Sequence, residues 1–316
     1  MPHVQRGIAL ALLPLLAEVC MAQPPQPPKL PDMPAPAPAE NAKDFGRRIP
    51  RTMRRLATST PQRRNPVRIL FYGQSITVQP WWKAVAADLH ERFPHADLKV
   101  ENKAIGGFGI SRLRRTAEHD LYGDYPDLLV LHAYGVGRGQ LDKFVAEIRR
   151  RTTCEIVLWT HHVCVQKQRD GESDADFAKR LAKHQQRRDK ASEEIRRVAQ
   201  KYGCELVDVR KRWKRYLADN HLQPKDLLGD HIHLNKKGWA VMVPLIADHF
   251  RYVGGAENPW SDCVETREVQ PGEGGRILLT FKGNRVDAVA ADLPANAPPP
   301  RSKVRIDGKP PSTNPR

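Results

Sequence analysis

Between Val67 and Phe250, short apolar runs alternate with longer stretches of helical periodicity, and this constrains the fold more than any other feature of the chain. Val67-Arg68-Ile69-Leu70-Phe71-Tyr72 reads as a buried strand that stops at Gly73-Gln74-Ser75. Residues 80–93 then place Trp82, Val85, Ala86, Leu89 and Phe93 on one helical stripe. Further strands are expected at 98–102, 127–132, 155–160 and 205–209, and further helices at 141–150, 174–202 and 236–250. Ser173 with Asp176 makes a capping-box-like start to the long helix, whose stripe of Phe177, Leu181, Ala191, Ile195, Val198 and Tyr202 is expected to face the core. Strands joined through helices run parallel, because a parallel neighbour is reached only by a long crossover. The expected result is a five-stranded parallel sheet covered on both faces, with functional groups at the carboxyl ends of its strands.

The flanking segments have other textures. Arg6, the apolar run 8–17 and Cys20-Met21-Ala22 fit a signal peptide cleaved after Ala22. The run is too short to span a membrane, which takes about 20 residues. A lipid-modified Cys20 is the alternative, which Glu18 and Val19 fit poorly. The mature protein is therefore expected to be secreted or periplasmic. Residues 23–65 begin as a Pro-Ala tether and continue as an Arg-rich arm in which Met53 and Leu56 show no sustained period, so the arm is expected to be poorly ordered or docked on the surface. After Tyr252 the chain turns Gly- and Pro-rich, with short strands expected at 276–281, 285–290 and 304–306. The expected division is a signal peptide at 1–22, a linker or arm at 23–65, the main α/β domain at 66–252, and a β-rich C-terminal segment at 253–316, read as the start of a β-sandwich or an incomplete accessory module.

A net charge of +16 invites a nucleic-acid reading. Its distribution argues against one. Residues 23–65 hold nine Lys/Arg against three Asp/Glu, much of the remainder lies within 174–202, and no aromatic residues interleave with these charges as in a base-stacking surface. A solvated basic surface is expected, with acidic polysaccharide as a partner it could attract. Cleavage after Ala22 would leave Cys154, Cys164, Cys204 and Cys263. Cys154 and Cys204 each precede an expected strand, so they either bridge or remain separate thiols. No metal-ligand spacing is present, and no cofactor is expected.

Two short motifs carry chemistry. Ser75 stands at the turn between the first strand and the first helix, where unpaired amides are available to developing negative charge. Asp230-His231-Ile232-His233 offers a carboxylate three residues before a histidine, a spacing that lets Asp230 reach Nδ1 of His233 and leaves Nε2 for the serine. Either could be an ordinary helix cap or capped loop. Their occurrence at the two ends of one α/β unit favours the catalytic reading.

Gly73-Gln74-Ser75-Ile76 resembles the GDS(L) block of the SGNH/GDSL hydrolases, and Asp230-x-x-His233 resembles their last block. The resemblance covers about residues 66–250 and implies a flavodoxin-like three-layer α/β/α sandwich, a Ser75-His233-Asp230 triad, and a secreted esterase acting on acetyl or short acyl esters, carbohydrate-linked ones first. It also implies an oxyanion hole built from the Ser75 amide and Gly107, since Asn102-Lys103-Ala104-Ile105-Gly106-Gly107 resembles the second block. The third block departs: where the family carries Gly-x-Asn, this chain reads Ala133-Tyr134-Gly135-Val136, with Val136 at the asparagine position. Losing one such donor costs about 100–1,000-fold in rate. The Gly135 backbone, Tyr134, His161 and His162 are candidates to replace it, and Trp81, Tyr134, His161 and His162 are candidate pocket residues. His132 is either near the rim or a satisfied core histidine. The missing asparagine also motivates a different expectation, a weakly active or non-catalytic carbohydrate-binding protein on a hydrolase scaffold.

Overall fold

The computed structural model describes residues 25–254, 269–280, 286, 303–305 and 308–310. Five strands, β1 (Pro66–Tyr72), β2 (Asp97–Asn102), β3 (Leu128–Leu131), β4 (Glu155–Trp159) and β5 (Glu205–Val207), form one sheet in the order β2-β1-β3-β4-β5. Every pairing is parallel, with Leu70 opposite Leu129 and Val157 opposite Glu205. The order reverses direction at β1, and in such sheets ligands collect beyond the carboxyl ends of the strands at the reversal.

Alternation along the strands divides the core in two. Val67, Ile69, Phe71, Val130, Val157 and Trp159 pack on one face, under helices α1 (Pro50–Ala57), α3 (Trp81–Arg92), α7 (Val209–Asp219) and α8 (Lys236–Ala247). Leu70, Tyr72, Leu129, Leu131, Ile156 and Leu158 pack on the other, under α4 (Ile110–Asp120), α5 (Gln140–Arg151) and α6 (Asp174–Lys201). A four-residue helix, α2 (Ser75–Val78), fills the turn after β1. Only the second half of α6 belongs to the core: Ile195 and Val198 are buried, whereas Phe177 and Leu181 are half-buried. The fifth strand also stops earlier than its apolar run suggests, because Asp208 accepts from Lys211 N and starts α7 at Val209.

The largest difference from expectation is the Arg-rich arm. Ile49, Met53 and Leu56, at spacings of four and three, are buried against the sheet through α1. Two carboxylates from strand starts hold this segment. Glu155 accepts from Arg51 N at 3.0 Å and Thr52 N at 2.8 Å, satisfying free amides of the helix start. Glu205 accepts from Gly46 N, Arg48 N and His249 Nδ1, and Phe45 stacks on the His249 ring at 3.6 Å. Gly46, at φ +81°, could carry no side chain, since a Cβ there would lie 2.1 Å from the Arg251 carbonyl oxygen. Arg51 is buried because its guanidinium donates to the carbonyls of Thr153 and Asp127.

Cys154, Cys164 and Cys204 are free, buried thiols, so Cys154 and Cys204 do not bridge. Burial pushes the Cys204 thiol up to about 12. The signal-peptide residues, Cys20 and Cys263 lie outside the described residues. The chain divides into two units, Met1–Val264 and Glu265–Arg316. In the second, residues 269–280 contain a tight turn at Glu273–Gly275 and no strand over 276–280, where one was expected; among the described residues none pairs with them to form a ladder. Most of the strands expected at 285–290 and 304–306 fall outside the described residues.

If α1 is part of the domain, Met53→Ala should lower stability by about 2–5 kcal/mol and Glu155→Ala by about 2–4 kcal/mol through its two orphaned amides. Urea midpoints measure both, and unchanged midpoints would return α1 to the status of a dispensable arm.

Candidate active site

Ser75 is the first residue of α2 and is half-buried. Its neighbour Gln74 is fully enclosed, and Gln74 Oε1 accepts both the Ile76 amide, at 3.1 Å, and the Ser75 hydroxyl, at 3.1 Å. The amide N–H of Ile76 can only donate, so the carboxamide has one orientation and its Nε2 faces His132 Nδ1 at 2.8 Å. His132 Nδ1 is therefore an acceptor, its proton sits on Nε2, and Nε2 donates to His161 Nδ1 at 2.8 Å. The same reasoning leaves the His161 proton on Nε2, a buried atom without a partner among the described residues. Burial, with the neighbouring His and Arg charges, drives both rings well below the ordinary histidine range and keeps them neutral. A hydrogen-bonded row thus runs from Ser75 through Gln74 and His132 to His161.

Asp230 and His233 form a compact unit. Asp230 Oδ1 accepts from the amides of Ile232 and His233 at 2.6 and 2.7 Å, and Oδ2 accepts from His233 Nδ1 at 2.7 Å. Burial opposes ionisation of Asp230, but the His233 ring and the two amides outweigh it and hold the carboxyl well below the usual range. With Nδ1 donating to Asp230, a neutral His233 carries its lone pair on Nε2, the nitrogen from which it can act as a base. The side chains of both are two-fifths or more exposed.

Three contacts fix the loop that carries this pair. Gln79, one residue past α2, donates to the Leu234 carbonyl at 2.8 Å and accepts from Leu234 N at 3.1 Å. His162 Nε2 donates to the Ile232 carbonyl at 2.8 Å, and Val165 N donates to the His231 carbonyl. The serine helix and the Asp-His loop are therefore clasped together, although Ser75 Oγ is hydrogen-bonded to Gln74 and not to His233.

The loops after β1, β2 and β3 are joined in the same way, Ile105 N donating to the Gly73 carbonyl and Ile110 N to the Tyr134 carbonyl, each at 2.9 Å. Among the described residues the amides of Ser75, Gly107 and Gly135 have no hydrogen-bond partner. Gly107 and Gly135 both adopt positive φ, +74° and +76°, which glycine tolerates. Val136 is buried in the α5/α6-side core, so neither its chemistry nor its position offers a side-chain donor. Trp81 is not a pocket residue: it is fully buried, donates Nε1 to the Ile76 carbonyl, and meets Phe71 and Trp159 edge-on. Tyr134 packs against the His132 and His161 rings, while His162 is buried and serves as the loop anchor. Sequence reasoning missed Gln74 and Gln79, whose partners lie at a turn and across 155 residues. It left His132 undecided, since its partner ring follows a different strand. Among the described residues no group of three or more His, Cys, Asp or Glu could hold a metal ion.

A family model described as the GDSL-like lipase/acylhydrolase family matches residues 71–241, more than half of the chain. The chain belongs to that family. As a member it is a hydrolase acting on ester bonds. No curated protein matches it. Solved structures to which it is similar include LAE5, an alpha/beta hydrolase from the metagenome of Lake Arreo, at 23% identity over 58% of this chain and 94% of that one, with a TM-score of 0.46. The acetyl xylan esterase AlAXEase gives 22%, 57%, 98% and 0.43 for the same quantities. Axe2, an acetylxylan esterase from Geobacillus stearothermophilus, gives 18%, 60%, 97% and 0.46.

Two outcomes are expected. Because the Val136 side chain faces the core, Val136→Asn should destabilise the protein by about 1–3 kcal/mol and leave kcat/KM on p-nitrophenyl acetate no higher than wild type; a faster variant would show that an asparagine reaches the reacting centre from this position. Burial pushes His162 from 6.5 down to about 4. Between those values the unfolded chain binds the extra proton, so stability should fall as pH drops from about 6.5 towards 4. Urea midpoints should fall from pH 7 to pH 5, and fall less in His162→Gln; an equal fall in both would contradict His162's part in it.

Proposed function

We propose that this protein is an exported serine esterase that removes acetyl or other short acyl groups from carbohydrate through Ser75, His233 and Asp230. The observation that carries the reading is the Asp230–His233 pair with its free Nε2, clasped by Gln79 to the helix that begins at Ser75. In the reaction, Ser75 Oγ leaves Gln74 Oε1 and turns to His233 Nε2, which takes its proton as the oxygen attacks the ester carbonyl. Asp230 keeps His233 in the required tautomer and stabilises the imidazolium. The amides of Ser75, Gly107 and Gly135 receive the oxyanion, the last replacing the side-chain donor that Val136 lacks. His233 then protonates the leaving alcohol, and water, activated by the same histidine, releases the acid. The cavity beside Gly135 carries Arg187, Arg188, Lys190 and Glu194 on its wall, which suits a small acyl group on a polar alcohol better than a long hydrocarbon chain. Export rests on the apolar run and the Cys20-Met21-Ala22 site.

Protein recovered from the exported fraction should begin at Gln23 and hydrolyse p-nitrophenyl acetate and acetylated xylooligosaccharide. Ser75→Ala and His233→Asn should each lower kcat by about 1,000-fold or more, and Asp230→Asn by about 100–10,000-fold. Turnover that survives Ser75→Ala, or protein confined to the cytoplasm with residues 1–22 intact, would overturn the corresponding part of the reading.

A further inference from the structure

The Gly135 loop borders a second feature of the rim, a cleft of about 460 Å³ walled by Gly135, His161, His184, Arg187, Arg188 and Lys190. Its charge is unbalanced. Glu194, which also lines it, is paired with Arg197, and the nearby Asp189 is paired with Arg210 and Lys214. Among the described residues no carboxylate forms an ion pair with Arg187, Arg188 or Lys190, three cations within four residues of α6. Arg188 is held in place, its guanidinium 4.3 Å over the Tyr134 ring, and its charge is felt by His132, His161, His162 and His184.

The wall also holds an unspent donor. His161 is 1% exposed, its Nδ1 is committed to His132, and its Nε2–H has no partner among the described residues. Buried donors are almost always paired, so such a group on a residue that lines a cleft calls for an acceptor, which a ligand or an ordered water can supply. The Arg188 guanidinium, which also bonds the Cys164 thiol but has no carboxylate partner among the described residues, presents a planar fork of N–H groups matched to a carboxylate. Cleft and nucleophile share the Gly135 loop and the Ser75–Gln74–His132–His161 row.

We propose that this cleft is a carboxylate-binding subsite of the active site, with Arg188 as the fork and His161 Nε2–H as an added donor, selecting esters of acidic alcohols such as uronate-bearing sugars. The role in substrate choice rests on the esterase reading; affinity for the anion rests on the cleft alone.

Calorimetric titration of the whole protein with D-glucuronate, D-glucose, sulfate and phosphate at equal ionic strength tests it. Glucuronate should bind and glucose should not, and glucuronate should bind more tightly than either inorganic ion. Arg188→Gln should weaken glucuronate about tenfold or more, Arg188→Lys should recover part of the loss, and Arg215→Gln, which removes an equal charge from α7, should change nothing. Equal binding of glucuronate and glucose by the wild type, a preference for sulfate or phosphate, or equal losses in Arg188→Gln and Arg215→Gln would each overturn the proposal. Glucuronate binding in a protein whose turnover does not depend on Ser75 would keep the subsite and remove the esterase reading. Normal Ser75-dependent turnover without glucuronate binding would do the reverse.

Discussion

Gln74 is buried at the point where the first strand ends, and its side chain has one possible orientation, because the Ile76 amide can only donate to the carboxamide oxygen. From that contact the polar arrangement of the rim follows link by link. The same oxygen receives the Ser75 hydroxyl, the opposite nitrogen sets the His132 tautomer, and His132 sets that of His161. In a buried environment an unpaired polar group is costly, so a row of this kind is stable only when each member is matched to the next. Its last proton, on His161, is the member left without a partner among the described residues.

The parallel sheet explains why these groups meet at one end. Its central strands β3 and β4 are covered on both faces, so the groups they carry reach solvent where the loops leave the carboxyl ends. Backbone hydrogen bonds join the loops after β1, β2 and β3, while Gln79 and His162 attach the Asp230–His233 loop from two sides. The Asp230–His233 pair is thus exposed but anchored from both sides, a combination suited to the proposed role of a base that must meet substrate without wandering.

Much of the scaffold was legible in the sequence, because parallel strands buried on both faces appear as continuous apolar runs and the helices between them keep a 3.6-residue period. Ser75 and the Asp230–His233 spacing were legible because each is a local motif. The segment around α1 was not. Its arginines hide the stripe of Ile49, Met53 and Leu56, and what anchors it is Glu155 and Glu205, acidic residues at strand starts that look like ordinary surface positions until the fold encloses them. Nor was the Gln74–His132–His161 row, whose members follow three different strands and meet only through the sheet order. Val136 has no side-chain donor by its chemistry, and only the fold shows that its side chain lies in the core.

The central claim, that the rim activates Ser75 and no other nucleophile, is tested most directly by treating the native protein with a fluorophosphonate and mapping the adduct by peptide mass spectrometry. One phosphonyl group per chain, on Ser75, and its loss after prior denaturation are the predicted result. Labelling that is absent in the native protein, or found on a residue other than Ser75, would contradict the account.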